Sequence, residues 1–333
     1  MKLCSYEIQG LTRVGVILDK DRLADATIAC AAYLHVQGET KAYALADVLT
    51  PPSMLAIIEG GASSLDALRK AEQYAKANPQ ASGPRGEKLF HAIKEVRLKA
   101  PVPRPPKILG PNWNSKEDQA RIIRPPGEPH PFYAIKLSTA VTGPFDPIEI
   151  PDIGGVISEV EAALIIGKKG KNIPENKAAE YIFGYTVAND LTALDMRDKQ
   201  EWVLVKSPTG GEQIRISSAA RYKCLDTFCP MGPWLVTADE IDIHNCRMDA
   251  RVDGELDQTG TTADMVFNFF QLIAYFSKAH TLEPGDVILS ATTPLAPERK
   301  KAKLGKIDIN NGKKVLESEI EGIGVIRNPI KRV

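Results

Sequence analysis

The chain has 333 residues, and its 42 lysine and arginine residues balance 42 aspartate and glutamate residues, so its formal charge is zero. This length suggests about two domains, and the balanced charge argues against binding to nucleic acid or to an anionic membrane. The five cysteines are scattered and no run of about 18 apolar residues occurs, so we expect a soluble, cytoplasmic protein with reduced thiols.

The first hundred residues mix strand patterns with helical patterns. The runs "RVGVIL" (13–18) and "KAYALADVL" (41–49) are typical of strands, whereas "LADATIACAAYLHVQG" (23–38) and "SSLDALRKAEQYAKAN" (63–78) have helical spacing. We therefore expect a small N-terminal α+β domain over residues 1–100. The proline-rich stretch "KAPVPRPPKILGPNW" (99–113) cannot continue a helix or a central strand, so we interpret it as the passage between domains.

From about residue 105 onward, strand patterns dominate. They are "IFGYTVAND" (182–190), "GPWLVT" (232–237), "RMDARVDGEL" (247–256) and "GDVILSATTP" (285–294). One long helical pattern, "TADMVFNFFQLIAYFSKAH", covers residues 262–280. Many strands without an alternating strand–helix order predict an α+β, mostly β catalytic domain over 105–333 and argue against a doubly wound sheet.

Two glutamates lie at the start of the strand pattern "SEVEAALIIG" (158–167). In a strand, Glu159 and Glu161 point to the same face, where like charges repel, so this face meets water or a positive charge lies between them. Asp190 ends another apolar strand pattern, where a carboxylate without a partner is unfavourable. Three carboxylates favour a hard divalent ion such as Mg²⁺, Mn²⁺ or Ca²⁺, with a solvated acidic edge as the alternative.

Five blocks of the chain resemble, in order over residues 105–330, the fumarylacetoacetate hydrolase family. The blocks are "FYAIKLSTAVTGPFDPIEIP", "SEVEAALIIGKKGKNIPENKAAEYIFGYTVANDLTA", "KCLDTFCPMGPWLVTADEI", "VDGELDQTGTTADMVFNFFQLIAYFSKAHTLEPGDVILS" and "EIEGIGVIRNPI". The resemblance implies a mixed β-sandwich roll that forms a homodimer. It also implies Mg²⁺ or Mn²⁺, with Ca²⁺ as a possible substitute, held by Glu159, Glu161 and Asp190.

The same resemblance implies roles for substrate-binding residues. Lys223 in "KCLDTFCPMGP" matches a lysine that contacts substrate, and we expect it to be catalytic, neutralising negative charge or acting as an acid. Thr292 in "LSATTP" matches a threonine that holds a substrate carboxylate. Arg197 and Gln200 match two further substrate contacts only if three residues are inserted after Asp190.

The lid of the family differs in this chain. Members that hydrolyse or decarboxylate their substrates usually carry a histidine and a glutamate that activate water, but "GPNWNSKEDQA" (110–120) has Lys116 and Gln119 at those positions. Glu117, Asp118 or His130 is a candidate replacement base. In the substrate-carboxylate loop, Ala291 replaces a glycine, which restricts the backbone.

A divalent ion that chelates a 2-oxo acid stabilises the enolate formed when an adjacent bond breaks. We therefore expect a metal-dependent enzyme acting on a small 2-oxo or 1,3-dicarbonyl acid, with hydrolysis of a C–C bond as the first expectation. The changed lid leaves isomerisation, decarboxylation or dehydration as alternatives. A non-catalytic protein that binds metal and ligand, and a biosynthetic enzyme for a bulkier or cyclic substrate, are further alternatives.

Overall fold

The computed structural model describes residues 1–120, 122–123, 126–206, 210–211 and 213–333. Its strands are β1 (Lys2–Ile8), β2 (Leu11–Ile17), β3 (Arg22–Asp25), β4 (Phe90–Ala92), β5 (Arg97–Lys99), β6 (Ile108–Asn112), β7 (Phe132–Lys136), β8 (Val141–Thr142), β9 (Ile148–Ile150), β10 (Val156–Ile157), β11 (Val160–Ile166), β12 (Ile182–Asn189), β13 (Thr192–Ala193), β14 (Trp202–Lys206), β15 (Gln213–Ser217), β16 (Cys229–Thr237), β17 (Arg247–Val252), β18 (Glu255–Thr261), β19 (Val287–Leu289), β20 (Val315–Ile320) and β21 (Gly324–Arg332). Its α-helices are α1 (Ala26–Val36), α2 (Ala42–Leu49), α3 (Met54–Glu59), α4 (Gly61–Ala77), α5 (Lys116–Gln119), α6 (Leu194–Lys199), α7 (Ala219–Tyr222), α8 (Phe269–Ala279) and α9 (Pro297–Lys301). Short 3-10 helices cover Ile93–Glu95, Ser138–Ala140, Glu175–Tyr181, Ala238–Glu240, Ile243–Asn245 and Thr262–Asp264.

The largest sheet has the strand order β4-β3-β2-β1-β16-β12-β11-β19-β6-β7, with β5 paired to β1 and β8 paired to β16. Its centre is apolar because β11, "VEAALII", is buried at every position. The N-terminal strands belong to this sheet, since Lys2 pairs with Val236 and Leu3 with Leu235. One sheet thus continues across residue 100, and the division into domains at that point stays a prediction.

A second sheet has the order β18-β17-β20-β21-β9. Between this sheet, α8 and one face of the large sheet lies a core that includes Leu164, Tyr185, Phe276, Ile320 and Ile326. Another core on the large sheet includes Ile57 of α3 and Leu68 of α4. Mixed sheets with few helices confirm the predicted mostly β fold class.

The predicted helices over 23–38 and 63–78 are confirmed as α1 and α4. The helix predicted over 262–280 is shorter and begins at Phe269, because Asn268 and Gln271 form a capping box there. The predicted strand over 41–49 is wrong. These residues form α2, whose Ala42 and Ala46 are buried one helical turn apart.

Two strand predictions need correction in their details, and the expectation that the proline-rich stretch cannot continue a central strand is wrong. The proline-rich stretch ends in β6, which lies between β19 and β7. Pro111 is tolerated there because β19 pairs only with Ile108 and Leu109, so the missing N–H removes no bond to β19. The run 247–256 turns at Asp253 and Gly254 into a second strand, and the run 285–294 is a strand only over β19.

Among the described residues, no helix is both long enough and apolar enough to span a membrane.

Candidate metal centre

Three carboxylates meet where β11 begins and β12 ends. The two strands are antiparallel and pair Val160 with Asn189, so Glu159 directly before β11 lies close to Asp190 directly after β12. The Asp190 N–H donates to the Glu159 carbonyl over 2.8 Å, and the Glu159 N–H donates to Asn189 Oδ1 over 2.9 Å. One oxygen each from Glu159, Glu161 and Asp190 lies within 4.8 Å of the others.

The carboxylate cluster lies inside the protein. Glu161 is 2 % exposed and Asp190 is 4 % exposed, which excludes the alternative of a solvated acidic edge. Glu161 is the second residue of β11, whereas Glu159 precedes the strand. The two glutamates are therefore not held in one regular strand, as their spacing suggested, but their carboxylates still converge.

Three lysines supply the positive charge that the sequence pattern demanded. Lys223 Nζ lies 2.8 Å from Glu159 Oε2 and also donates to Asp190 Oδ2. Lys306 Nζ lies 2.8 Å from Glu159 Oε1, and Lys136 Nζ lies 2.6 Å from Asp190 Oδ1. Three acidic and three basic side chains thus form one cluster with no net charge when all six are ionised.

Two of these lysines were missed in the sequence. Lys136 ends β7, and its side chain is 1 % exposed. A signal for it existed, because it ends the apolar run "FYAIK" just as Asp190 ends its own strand. Lys306 follows the basic stretch "ERKKAKLG", which is typical of a solvated surface, so nothing in the sequence indicated its place in the site.

The lysines are placed by local structure. Lys223 is the C-cap of α7, where its N–H donates to the Ala219 carbonyl. Lys136 Nζ donates to the Lys223 carbonyl, so the end of β7 is tied to the end of α7. The same buried ammonium group therefore holds both the Asp190 carboxylate and the backbone that presents Lys223.

Electrostatics divides the two glutamates. Burial alone would raise the pKa of Glu159, but the ammonium groups of Lys223 and Lys306 outweigh burial and hold that pKa well below its ordinary value. Burial, together with the charge of Asp190, raises the pKa of Glu161 well above its ordinary value. Glu161 is thus harder to ionise than Glu159, and a nearby positive charge would favour its ionised form.

Lys223 remains an ammonium group. Burial alone would lower its pKa, but the charges of Asp190, Glu159 and Glu161 raise that pKa above the ordinary value. Lys223 can therefore donate hydrogen bonds and stabilise negative charge, but it has no lone pair with which to remove a proton.

The cluster fits a hard divalent ion. Its carboxylates supply an all-oxygen donor set, which Mg²⁺ and Mn²⁺ prefer. Asp190 Oδ1 is buried and accepts no well-aligned hydrogen bond within the described part of the chain, although Lys136 lies beside it as an ion pair. A cation beside Glu161 would also stabilise its ionised form, which burial and the charge of Asp190 disfavour. The residues present therefore fit the group that the resemblance implies.

The loop after β19 reaches the cluster through its backbone. The Ala291 N–H donates to Glu161 Oε2 over 2.8 Å, and Ala291 has a φ of 72°. This left-handed conformation is one that glycine adopts easily and alanine does not. We expected from the sequence that alanine in place of glycine restricts the backbone here, and the left-handed φ of Ala291 is consistent with that expectation.

Thr292 follows directly in that loop. Its Oγ1 accepts a hydrogen bond of 2.7 Å from Gln258 Nε2, which also donates to the Thr293 carbonyl over 3.0 Å. Gln258 is fully buried and was missed in the sequence, because a lone glutamine in a strand pattern carries no signal. The structure places Thr292 one residue from the Glu161 contact, and its role toward substrate stays a prediction.

Arg197 and Gln200 lie on and just after α6. Arg197 is half-buried and pairs with Asp198 over 2.8 Å. Its pKa is raised chiefly by that hydrogen bond, and the charge of Glu159 contributes further. Gln200 is exposed and caps α6 through its backbone. Both remain predicted substrate contacts.

The predicted bases Glu117 and His130 lie on the surface of the protein. Glu117 of α5 is ion-paired with Lys300 of α9, which joins the predicted lid to the loop that carries Lys306. The ring of His130 stacks on Tyr275 of α8, with centroids 6.1 Å apart. The catalytic roles of Glu117 and His130 stay predictions.

Comparison with known proteins gives consistent results. The family model of the fumarylacetoacetate (FAA) hydrolase C-terminal domain matches residues 109–331. The mitochondrial oxaloacetate tautomerase Fahd2a of Rattus norvegicus is 35% identical over 289 residues, which are 85% of this chain and 81% of that protein.

Two solved structures share the fold. The fumarylacetoacetate hydrolase of Exiguobacterium antarcticum is 26% identical, with a TM-score of 0.69 and coverage of 100% of both chains. The maleylpyruvate hydrolase from Sphingobium sp. SYK-6, solved with manganese(II) and pyruvate, is 22% identical, with a TM-score of 0.67 and coverage of 100% of this chain and 99% of that one. At this identity, the second likeness shows the fold alone.

Proposed function

Because the chain belongs to the fumarylacetoacetate hydrolase family, we propose that it is a divalent-metal-dependent enzyme that interconverts the keto and enol forms of a small 2-oxo acid such as oxaloacetate. The buried convergence of Glu159, Glu161 and Asp190 with Lys223 carries the proposal. The similarity to oxaloacetate tautomerases supports the choice of reaction.

Each residue of the cluster has a defined task in this reaction. Glu159, Glu161 and Asp190 would hold Mg²⁺ or Mn²⁺, which stabilises the developing negative charge on the keto oxygen of a bound 2-oxo acid. Lys223, kept as an ammonium group, adds a donor for that charge in a buried setting where electrostatic stabilisation is strong. Lys136 keeps Asp190 and the Lys223 backbone in position. We propose that Thr292, Arg197 and Gln200 bind the substrate.

The lid favours proton transfer over hydrolysis. Tautomerisation moves a proton between carbon and oxygen and consumes no water, so it needs no pair that activates water. The family positions for that pair hold Lys116, whose Nζ donates to the Ala263 carbonyl over 3.0 Å, and Gln119, whose Nε2 donates to the Trp113 carbonyl over 2.6 Å. We propose Glu117 or His130 as the base that removes the proton from carbon.

The second candidate function is hydrolysis of a C–C bond in an acylpyruvate or a related diketo acid. The shared fold with a fumarylacetoacetate hydrolase and a maleylpyruvate hydrolase supports it. In this reaction one of the same candidate bases would activate water. Decarboxylation or dehydration of a 2-oxo acid would need the same metal site and is distinguished by its product.

The experiment supplies the protein, loaded with Mg²⁺ or Mn²⁺, with enol oxaloacetate and follows the ultraviolet absorbance of the enol. We expect metal-dependent loss of the enol, faster than in buffer, without pyruvate formation. Cleavage of an acylpyruvate without tautomerisation would establish hydrolysis instead. If metal and ligand bind but a broad panel of keto acids shows no turnover, the chain is a non-catalytic descendant of the family.

We also propose a homodimer, supported by the exposed hairpin of β14 and β15. The register pairs Val203 with Ile216 and Val205 with Ile214 on one face, and these four side chains are between 44% and 62% exposed. A two-stranded hairpin is only marginally stable alone, so an apolar face of this kind favours a partner.

Light scattering after size-exclusion chromatography tests the dimer. Replacing Val203 and Ile216 together by threonine should yield a monomer, whereas Leu204→Thr on the opposite face, 50% exposed, should leave the dimer intact. An unchanged mass for the double variant would exclude the hairpin as the interface. We also propose a cytoplasmic location. Because the relative from Rattus norvegicus is mitochondrial, cell fractionation should compare the cytoplasm with the alternative that this relative suggests.

A further inference from the structure

We infer that Lys306 recognises the second carboxylate of a dicarboxylic 2-oxo acid, an assignment that rests on the proposed function and names the residue that selects its substrate class. Lys306 Nζ lies 2.8 Å from Glu159 Oε1. It lies outside the blocks that carry the family resemblance, and the proposed proton transfer does not use it.

Exposure separates Lys306 from the other two lysines of the cluster. The Lys306 side chain is 18% exposed, against 9% for Lys223 and 1% for Lys136. Lys306 is thus the lysine nearest to solvent, and it meets the outer part of a ligand that enters the site. Lys223 and Lys136 face the inner part, where Asp190 lies.

The backbone around Lys306 is fixed on both sides. Before it, the Gly305 carbonyl accepts hydrogen bonds from Arg299 at 3.0 Å and 2.6 Å. After it, the Ile307 N–H donates to the buried Asp257 over 2.8 Å. Arg299 and Asp257 are themselves paired at 3.2 Å. Lys306 therefore projects from an ordered turn, which makes it suited to recognition.

The charge of the cluster points to a dianion. The three carboxylates and three lysines cancel, so a divalent ion leaves two positive charges in a largely buried site. Arg197 adds none, because it is paired with Asp198. A dicarboxylate restores neutrality, whereas a monocarboxylate leaves one buried positive charge, which is unfavourable. An ion held by Glu159 would compete with Lys306 for that carboxylate, which would leave the Lys306 ammonium group available to the ligand.

Binding of two unreactive 2-hydroxy acids tests the assignment. L-Malate and L-lactate share the chelating end, and only malate has a second carboxylate. By calorimetry on the Mn²⁺-loaded protein, the wild type should bind malate more tightly. Lys306→Met should weaken malate binding about tenfold or more, the usual size of a charged hydrogen bond, and leave lactate within about twofold. Lys306→Arg should retain the preference for malate.

Two controls separate recognition from a structural role. Lys301→Met removes an exposed lysine of the same segment and should change neither affinity. The affinity for Mn²⁺ alone, measured by electron paramagnetic resonance, should be no weaker in Lys306→Met, because the change removes a cation that competes for Glu159.

The assignment is overturned if Lys306→Met weakens malate and lactate equally, if it weakens Mn²⁺ binding, or if the wild type does not prefer malate. Neither ligand is turned over in this measurement. A protein that selects malate through Lys306 but does not tautomerise oxaloacetate would therefore reject the proposed reaction and support the assignment of Lys306.

Discussion

The floor and the rim of the site are built differently. We call Glu159, Glu161, Asp190, Lys136 and Lys223 the floor. All five lie at or near the ends of strands or of a short helix, and their charged groups contact one another in a largely buried space.

The rim comprises α5 and residues 291–306, which the ion pair of Glu117 and Lys300 joins. Its outer ion pair is exposed, since the side chains of Lys300 and Glu117 are 41% and 46% exposed, whereas the pair of Arg299 and Asp257 is largely buried. Removing one partner of a buried ion pair greatly lowers the free energy of unfolding, whereas an exposed ion pair contributes little to it. We therefore propose that the floor carries the metal-dependent chemistry and that the rim contacts the outer part of the substrate.

The largest effect is expected at the floor. Glu161→Gln keeps the shape of the side chain and an oxygen for the Ala291 N–H, but it removes a charged ligand. We expect Mn²⁺ affinity and tautomerisation each to fall at least about 100-fold, which corresponds to roughly 3 kcal/mol. Electron paramagnetic resonance and the enol assay measure the two quantities.

Glu117→Gln is the matched change at the rim and should leave Mn²⁺ affinity unchanged. Equal losses of Mn²⁺ affinity in both variants would remove the distinction between floor and rim. A Glu161→Gln variant that binds and turns over normally would refute the metal assignment.

The floor should also dominate stability. Lys136→Met leaves Asp190 with one of its two cationic neighbours, so we expect the free energy of unfolding to fall by about 3 kcal/mol, as for a broken buried ion pair. Lys300→Met breaks an exposed pair and should cost no more than about 1 kcal/mol. Urea denaturation of the metal-free proteins provides both values, and similar losses would contradict the comparison.

The pH dependence of Mn²⁺ affinity should also be set by the floor. The pKa of Glu161 is raised and that of Glu159 is lowered, so we expect protons to compete with a metal ion chiefly at Glu161. At pH values below the raised pKa of Glu161, the apparent Mn²⁺ affinity should therefore increase by up to about tenfold for each unit that the pH rises. Above it, the affinity should level off.

Calorimetry in buffers of different ionisation enthalpy should detect one proton released per Mn²⁺ ion bound. An affinity that does not change with pH above the ordinary pKa of a glutamate, with no proton release, would show that Glu161 is already ionised in the metal-free protein.

Most residues of the floor could be predicted from the sequence. Acidic residues interrupt or end apolar strand patterns at Glu161 and Asp190, and burial makes such interruptions unfavourable without a partner, so the pattern carries physical information. Lys136 shows the same signal and could have been found by the same argument. Fold class was predictable for a related reason, since an apolar run such as "AALII" at the end of β11 must lie in a core.

The place of the rim residue Lys306 in the site could not be predicted from the sequence. Lys306 enters the site only because Arg299 and Asp257 fix the turn around it, and contacts between residues far apart in sequence leave no local pattern. The wrong strand prediction over 41–49 has a similar origin, because Ala42 and Ala46 suit a helix through packing that a short apolar run does not reveal.

Ala291 lies where floor and rim meet, and the smallest effect is expected there. Its N–H must reach Glu161, and the backbone achieves this at a φ of 72°, which costs a residue with a Cβ about 1 kcal/mol. Ala291→Gly should remove that strain, offset in part by the greater freedom of glycine in the unfolded chain. We expect a gain of at most about 1 kcal/mol in the free energy of unfolding, with Mn²⁺ affinity unchanged. Thermal denaturation measures the gain, and a loss of stability would show that the loop is not strained at this residue.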